Sequence, residues 1–88
     1  MTETEVKTRI AEHNDSVNNF LNDELPRLMN KATGKSKFTL ADWFTAQSIF
    51  QQQNFYDKAM KLLKEMRADG WDVKINCQAE KLTYYGRI

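Results

Sequence analysis

The change of hydrophobic period at Gly70 constrains the fold of this chain most strongly. Before Gly70, five apolar residues recur at the spacing of one helix face: Phe55, Ala59, Leu62, Leu63 and Met66. After it, four apolar residues alternate with polar ones: Trp71, Val73, Ile75 and Cys77. A second extended run begins at Leu82. We therefore expect a helix that leads directly into a C-terminal β-hairpin.

The N-terminal third predicts one long helix with a heptad-like seam. The seam residues follow 4-3-4-3 spacing: Val6, Ile10, His13, Val17 and Phe20. They can pack on the rest of the chain or form a homodimer through this helix, and the sequence does not decide between the two. Asn14 beside the seam is a candidate for fixing its register. Pro26 either kinks the helix or ends it near Asn22, because proline has no N–H to donate.

A second helix is expected from Leu40, because Thr39 and Asp42 have the spacing of a capping box. Phe38, ahead of the cap, can pack on Trp43 or Phe44. The polar segment 51–54 is a plausible turn, but one bent helix over 40–69 is an alternative. The fold class is thus α+β and mostly helical, with three helices followed by a two-stranded C-terminal hairpin.

Length and composition predict a single small domain, 1–88. Within it, 1–33 is the N-terminal helix and oligomerisation segment, and 38–88 is a helix–helix–hairpin unit. Net charge is +1, but residues 1–24 sum to −4 and residues 25–88 to +5. No apolar run approaches the length of a membrane span, so we expect no membrane partner. The acidic start and the single cysteine favour a cytoplasmic protein.

Residues 38–88 resemble winged helix-turn-helix domains in element order and apolar spacing. Three segments carry the resemblance: FTLADWF, FYDKAMKLLKEMRADGW and the terminal KLTYYGRI. The segment FQQQN departs from the pattern, because it lacks the small residue and glycine of a tight helix-turn-helix. The resemblance implies a non-enzymatic, dimeric regulator of transcription, or of a related phage or plasmid process, that binds duplex DNA with its third helix and hairpin.

Amide and cationic side chains supply the chemistry that such binding needs. Candidates for reading bases are Gln53, Asn54, Asp57, Lys58 and Lys61. Candidates for phosphate contacts are Lys31, Lys35, Lys37, Lys64, Lys74, Lys81 and Arg87. The carboxylates of Asp57 and Glu65 argue against this interpretation, because phosphate repels them. If Lys58, Lys61 and Lys74 share one face, DNA binding is favoured; if they are scattered, protein binding is favoured.

The alternative hypothesis is a protein-binding adaptor or inhibitor with an aromatic surface. Ten aromatic residues are many for 88 positions, and most of them are needed for the core. Tyr56 and Tyr85 are the candidates for the interface, since no apolar stripe requires them. In size and character the chain is also similar to small bacteriophage accessory proteins that bind host machinery.

No catalytic, metal or cofactor site is predicted. Gly34-Lys35-Ser36 matches the end of a phosphate-binding loop, but Met29 stands where the first glycine belongs and no strand precedes it. His13 and Cys77 are too few for a metal site or a nucleophilic pair. The sequence therefore predicts a non-enzymatic protein without cofactors.

Overall fold

The computed structural model describes residues 1–76 and 80–88 and confirms the expected mostly helical α+β architecture. Its helices are α1 (Glu3–Asn19), a π-helical segment (Phe20–Glu24), α2 (Leu25–Thr33), α3 (Leu40–Gln51) and α4 (Phe55–Ala68). Two strands follow, β1 (Trp71–Asn76) and β2 (Lys81–Arg87), and they pair as an antiparallel hairpin. In the part of the chain described, no helix is long and apolar enough to cross a membrane.

Helical structure continues through Pro26. Asn22 belongs to the π-helical segment, where the N–H of Leu25 donates to the carbonyl of Phe20 five residues earlier. Pro26 then lies in the first turn of α2, where a missing N–H is tolerated. A local widening of the helix therefore accommodates the proline.

The chain forms two compact units. Unit 1 contains residues 1–17 and 55–88, and unit 2 contains residues 18–54. Each is described by itself below.

The core of unit 1 joins α1, α4 and the hairpin. Its buried residues are Val6, Ile10, Ala59, Leu63, Met66, Trp71, Val73 and Leu82. Val6 and Ile10, the first two seam residues of α1, thus pack inside the chain. This is the first of the two alternatives that the sequence leaves open for the seam. A homodimer through α1 stays a prediction, and it would need other faces of this helix.

Polar side chains of α1 bind the backbone at and just before β2. The Asn14 amide donates to the Leu82 carbonyl at 2.9 Å and accepts from the Leu82 N–H at 2.8 Å. Nε2 of the buried His13 lies 2.8 Å from the Glu80 carbonyl oxygen. Asn14 therefore bonds to a strand, which is a different role from fixing a helix seam.

The hairpin agrees with the predicted alternation of apolar and polar residues along β1. Val73 lies opposite Tyr84 and Ile75 opposite Leu82, and a β-bulge follows towards the Trp71–Arg87 pair. Gly86 lies beside this irregularity at φ +102°, a conformation that favours glycine. Cys77, expected to continue the apolar alternation, lies outside the described residues.

Unit 2 packs α2 against α3. Phe20, Leu25, Met29 and Ala46 are buried, and the Phe20 and Phe50 rings are 6.1 Å apart between centroids. The predicted turn separates α3 from α4, with Asn54 in the left-handed conformation at φ 60°. Residues 40–69 are therefore two helices.

Candidate interaction surface

Three large apolar side chains of α3 are exposed. Leu40 is 77% exposed, Trp43 55% and Phe44 67%. Their i, i+3, i+4 spacing puts them on one side of the helix, and we call these three residues the α3 face. Ala46, about 120° around the helix from Leu40, is only 3% exposed. Apolar residues thus surround α3, although unit 2 covers only one side of it.

A complete capping box fixes the start of α3. The Thr39 hydroxyl accepts from the Asp42 N–H at 3.3 Å, and the Asp42 carboxylate accepts from the Thr39 N–H at 2.7 Å. The Asp42 carboxylate also accepts from the Thr39 hydroxyl at 2.9 Å. The bonds that the Thr39 N–H and hydroxyl donate to this carboxylate lower the pKa of Asp42, and the nearby Lys35 ammonium adds to the effect. The helix that presents the α3 face therefore begins at a defined residue.

The predicted staple from Phe38 exists but does not bury its partner. The rings of Phe38 and Trp43 meet edge-on, 5.9 Å apart between centroids. The sequence predicts that most aromatic residues lie in the core and that Tyr56 and Tyr85 lie outside. Those two are indeed 48% and 59% exposed, but Trp43 and Phe44 are exposed as well.

The base-reading candidates are divided between the two units. Gln53 and Asn54 belong to unit 2, where the Gln53 amide donates to the Ile49 carbonyl at 3.4 Å. Asp57, Lys58 and Lys61 lie exposed on α4 in unit 1. The two lysines line a groove between α1 and α4 together with side chains of both signs: Arg9, Glu12 and Glu65. This mixture differs from the cationic surface expected for DNA.

The phosphate-contact candidates are divided in the same way. Three of them belong to unit 2: Lys31, Lys35 and Lys37. The other four belong to unit 1: Lys64, Lys74, Lys81 and Arg87. Lys35 Nζ lies 3.7 Å from Asp42 Oδ2, and Gly34 ends α2 in a left-handed conformation. The glycine of the phosphate-loop fragment is therefore a helix cap.

The outer face of the hairpin combines cations with one aromatic ring. Lys74 Nζ lies 5.0 Å from the centroid of the exposed Tyr85 ring. Because Val73 is buried in the core, its neighbour Lys74 projects from the opposite side of the sheet. Lys74 thus does not share a surface with Lys58 and Lys61.

Arg87 has a different role from the other cations of the hairpin. It lies opposite Trp71 in the register, and its guanidinium is 4.5 Å from the centroid of the buried indole ring. A cation at this distance over a Trp ring is attracted by the negative face of the ring. Arg87 therefore covers one end of the unit 1 core.

Residues 1–76 and 80–88 contain no group of three His, Cys, Asp or Glu side chains that could hold a metal ion. The predicted absence of catalysis and of cofactors stays a prediction.

Comparison with known protein families, curated proteins and solved structures finds no match. The resemblance to winged-helix domains is therefore still an expectation from element order and spacing.

Proposed function

We propose that this protein is a non-enzymatic protein-interaction module that binds its partner through the α3 face. The observation that supports this most directly is the exposure of Leu40, Trp43 and Phe44 on one side of a helix. Three side chains of this size expose on the order of 400 Å² of apolar surface. Apolar patches of that extent on a monomer are often interaction sites.

The composition of α3 also suits an interface. Its only charged residue is Asp42, which the cap holds at the N-terminal end. The central part of protein interfaces is depleted in charge and enriched in aromatic residues, and Trp is a common hot spot. Tyr56 and Tyr85, the candidates from the sequence, are single exposed rings on other elements. The lone cysteine supports the cytoplasm as the proposed compartment.

Affinity capture tests this function. The bait is the tagged full-length chain, the test variant is Leu40→Gln/Phe44→Gln, and the cell extract also contains the untagged chain. Tyr56→Gln is the matched control, because it removes an exposed aromatic ring elsewhere. Quantitative mass spectrometry should show a set of proteins retained by wild type and Tyr56→Gln but lost with the test variant. Identical captured sets for all three baits would refute the proposal.

Nucleic-acid binding is the second candidate, and the hairpin outer face favours it. Lys74 beside Tyr85, with Lys81 on β2, offers cations for phosphates and a ring for base stacking. It ranks second because Lys74 does not form one surface with Lys58 and Lys61. Titration with random duplex and single-stranded DNA at about 50 mM and 200 mM salt tests it, since phosphate contacts weaken strongly over that range. No binding at the lower salt concentration would exclude this candidate.

A further inference from the structure

We infer that the α3 face binds a second copy of this chain, with two α3 helices antiparallel across a two-fold axis. In this arrangement Leu40 of each copy lies opposite Phe44 of the other. The inference rests on the proposed function and names its partner. It also differs from the dimer expected through α1, whose seam residues Val6 and Ile10 are already buried in unit 1.

The distribution of side chains along α3 defines the register. The exposed side of the helix carries large apolar residues in its first half, whereas Gln47 and Gln51 lie exposed in its second half. In a two-fold interface, residue i of one copy meets j of the other, and j meets i. If the axis passes midway between Leu40 and Phe44, Leu40 of each copy meets Phe44 of the other, so this contact occurs twice. The Trp43 rings of the two copies then lie beside each other. Apolar side chains then meet apolar side chains, and the glutamines form a polar rim.

Charge around the helix start favours the antiparallel direction. Lys35 and Lys37 precede α3 and are exposed near its partially positive N-terminal end. Parallel pairing would bring the lysines and positive helix ends of both copies together, and like charges repel. Antiparallel pairing separates them. It also places Lys37 near the uncharged Gln47 of the other copy, whose amide oxygen can accept a hydrogen bond.

Charge within the helix favours α3 over α4 as the dimer contact. A two-fold axis places like surfaces of both copies close together, so charges near the axis repel. The twelve residues of α3 contain a single charge, at Asp42, whereas 28% of the whole chain is charged. Asp42 lies at the level of the proposed axis but about 160° around the helix from Leu40, so it points away from the other copy. It is held in the capping box, with Lys35 Nζ 3.7 Å away. The exposed side of α4 would instead bring cations of two copies together, from Lys58, Lys61 and Lys64.

The apolar area that this dimer can bury indicates weak association. Two α3 faces would bury on the order of 800 Å², below the roughly 1,200–2,000 Å² of stable complexes. We therefore expect a reversible dimer that forms as concentration rises. Analytical ultracentrifugation of the full-length chain between about 1 μM and 1 mM covers the relevant range of affinities.

Wild type and Tyr56→Gln should shift from monomer to dimer over this range. Leu40→Gln/Phe44→Gln should stay monomeric, with circular dichroism checking that helix content is kept. A wild-type chain that is monomeric throughout would overturn the inference, and so would a dimer that persists in the double variant. Either result leaves the proposed function open to its own test, because the capture experiment also detects partners other than the untagged chain.

A charge exchange tests the antiparallel register. Leu40→Glu and Phe44→Lys each change one exposed residue, so neither depends on repacking a core. Each variant alone should dimerise at least tenfold more weakly than wild type. Their mixture should form a heterodimer, because the new carboxylate of one copy then faces the new ammonium of the other.

The control for this exchange is a mixture of Leu40→Glu with Leu40→Lys. Parallel pairing would place these two positions opposite each other, whereas the proposed register displaces them by four residues. We therefore expect weaker heterodimer formation in the control mixture than in the test mixture. Equal or stronger association in the control would refute the antiparallel pairing.

Discussion

Helices α3 and α4 have similar lengths, 12 and 14 residues, but they use their apolar residues differently. In α4 the apolar residues form one stripe, and Phe55, Ala59, Leu63 and Met66 are all buried. In α3 the apolar residues lie on different sides, so one set packs within unit 2 and the other is exposed. A two-helix arrangement can cover only one side of each helix. Apolar residues that the fold does not cover therefore stay exposed on α3, and we expect binding at that surface.

The largest contrast should come from the same substitution in both helices. Leu63 is 4% exposed and Leu40 is 77% exposed. Leu63→Ala should lower the free energy of unfolding by about 3 kcal/mol, because it leaves a cavity. Leu40→Ala should change it by less than about 0.5 kcal/mol. Urea denaturation at low micromolar concentration measures both, and equal losses would mean that Leu40 is covered in the free monomer.

A smaller effect should follow from Asn14→Ala in unit 1. Without the side-chain amide, the N–H and carbonyl of Leu82 lose both partners, which should lower the free energy of unfolding by about 2 kcal/mol. Hydrogen exchange at the Leu82 amide should accelerate. Ser16→Ala is the control on the same helix, since the Ser16 hydroxyl donates to the Glu12 carbonyl of its own helix. Unchanged exchange at Leu82 would contradict the assigned role of Asn14.

The cap of α3 should give a smaller effect again. Thr39→Ala removes the hydroxyl that accepts from the Asp42 N–H, so we expect a loss of about 1 kcal/mol. Thr45→Ala, an exposed change within α3, is the comparison. Chemical denaturation followed by circular dichroism measures both. If Thr39→Ala behaves like Thr45→Ala, the cap does not stabilise this helix.

The pH dependence of the cap follows from the lowered pKa of Asp42, which hydrogen bonds from Thr39 mainly cause. Folding favours the ionised carboxylate, so its stabilisation is complete above the ordinary Asp pKa of 3.8 and is lost as pH falls through the lowered value. NMR titration of the Asp42 carboxyl should give a pKa below 3.8. Asp42→Asn should remove this part of the acid sensitivity. A pKa at or above the ordinary value would contradict the observed hydrogen bonds.

Sequence patterns predict the elements whose signals are local. The α4 stripe, the stop at Gly70 and the alternation through Val73 depend on near neighbours, and so does the Thr39 capping box. The bonds of Asn14 to Leu82 join residues 68 positions apart, which no local pattern contains. The sequence also does not predict the π-helical segment before Pro26. A proline lacks one N–H donor, and a kink, a helix end or a π-helical segment can each accommodate this loss.

The α3 face escapes sequence analysis for a different reason. The apolar residues Leu40, Trp43, Phe44, Ile49 and Phe50 together predict a helix, but they do not form one stripe. At 3.6 residues per turn, Leu40 and Ile49 point in opposite directions. Trp43 and Phe50, seven residues apart, point in nearly the same direction, yet Trp43 is exposed and Phe50 is half-buried. Angular position therefore does not reveal which apolar residues are covered, since that depends on the fold of unit 2.

The pairing of Asn14 with Leu82 also bears on aggregation. In a two-stranded sheet each strand has an outer edge whose N–H and carbonyl groups can recruit another extended peptide. At Leu82 both groups already have a side-chain partner from α1. That edge of β2 is therefore blocked at this point against strand addition and fibril-like stacking, and loss of the amide would open it.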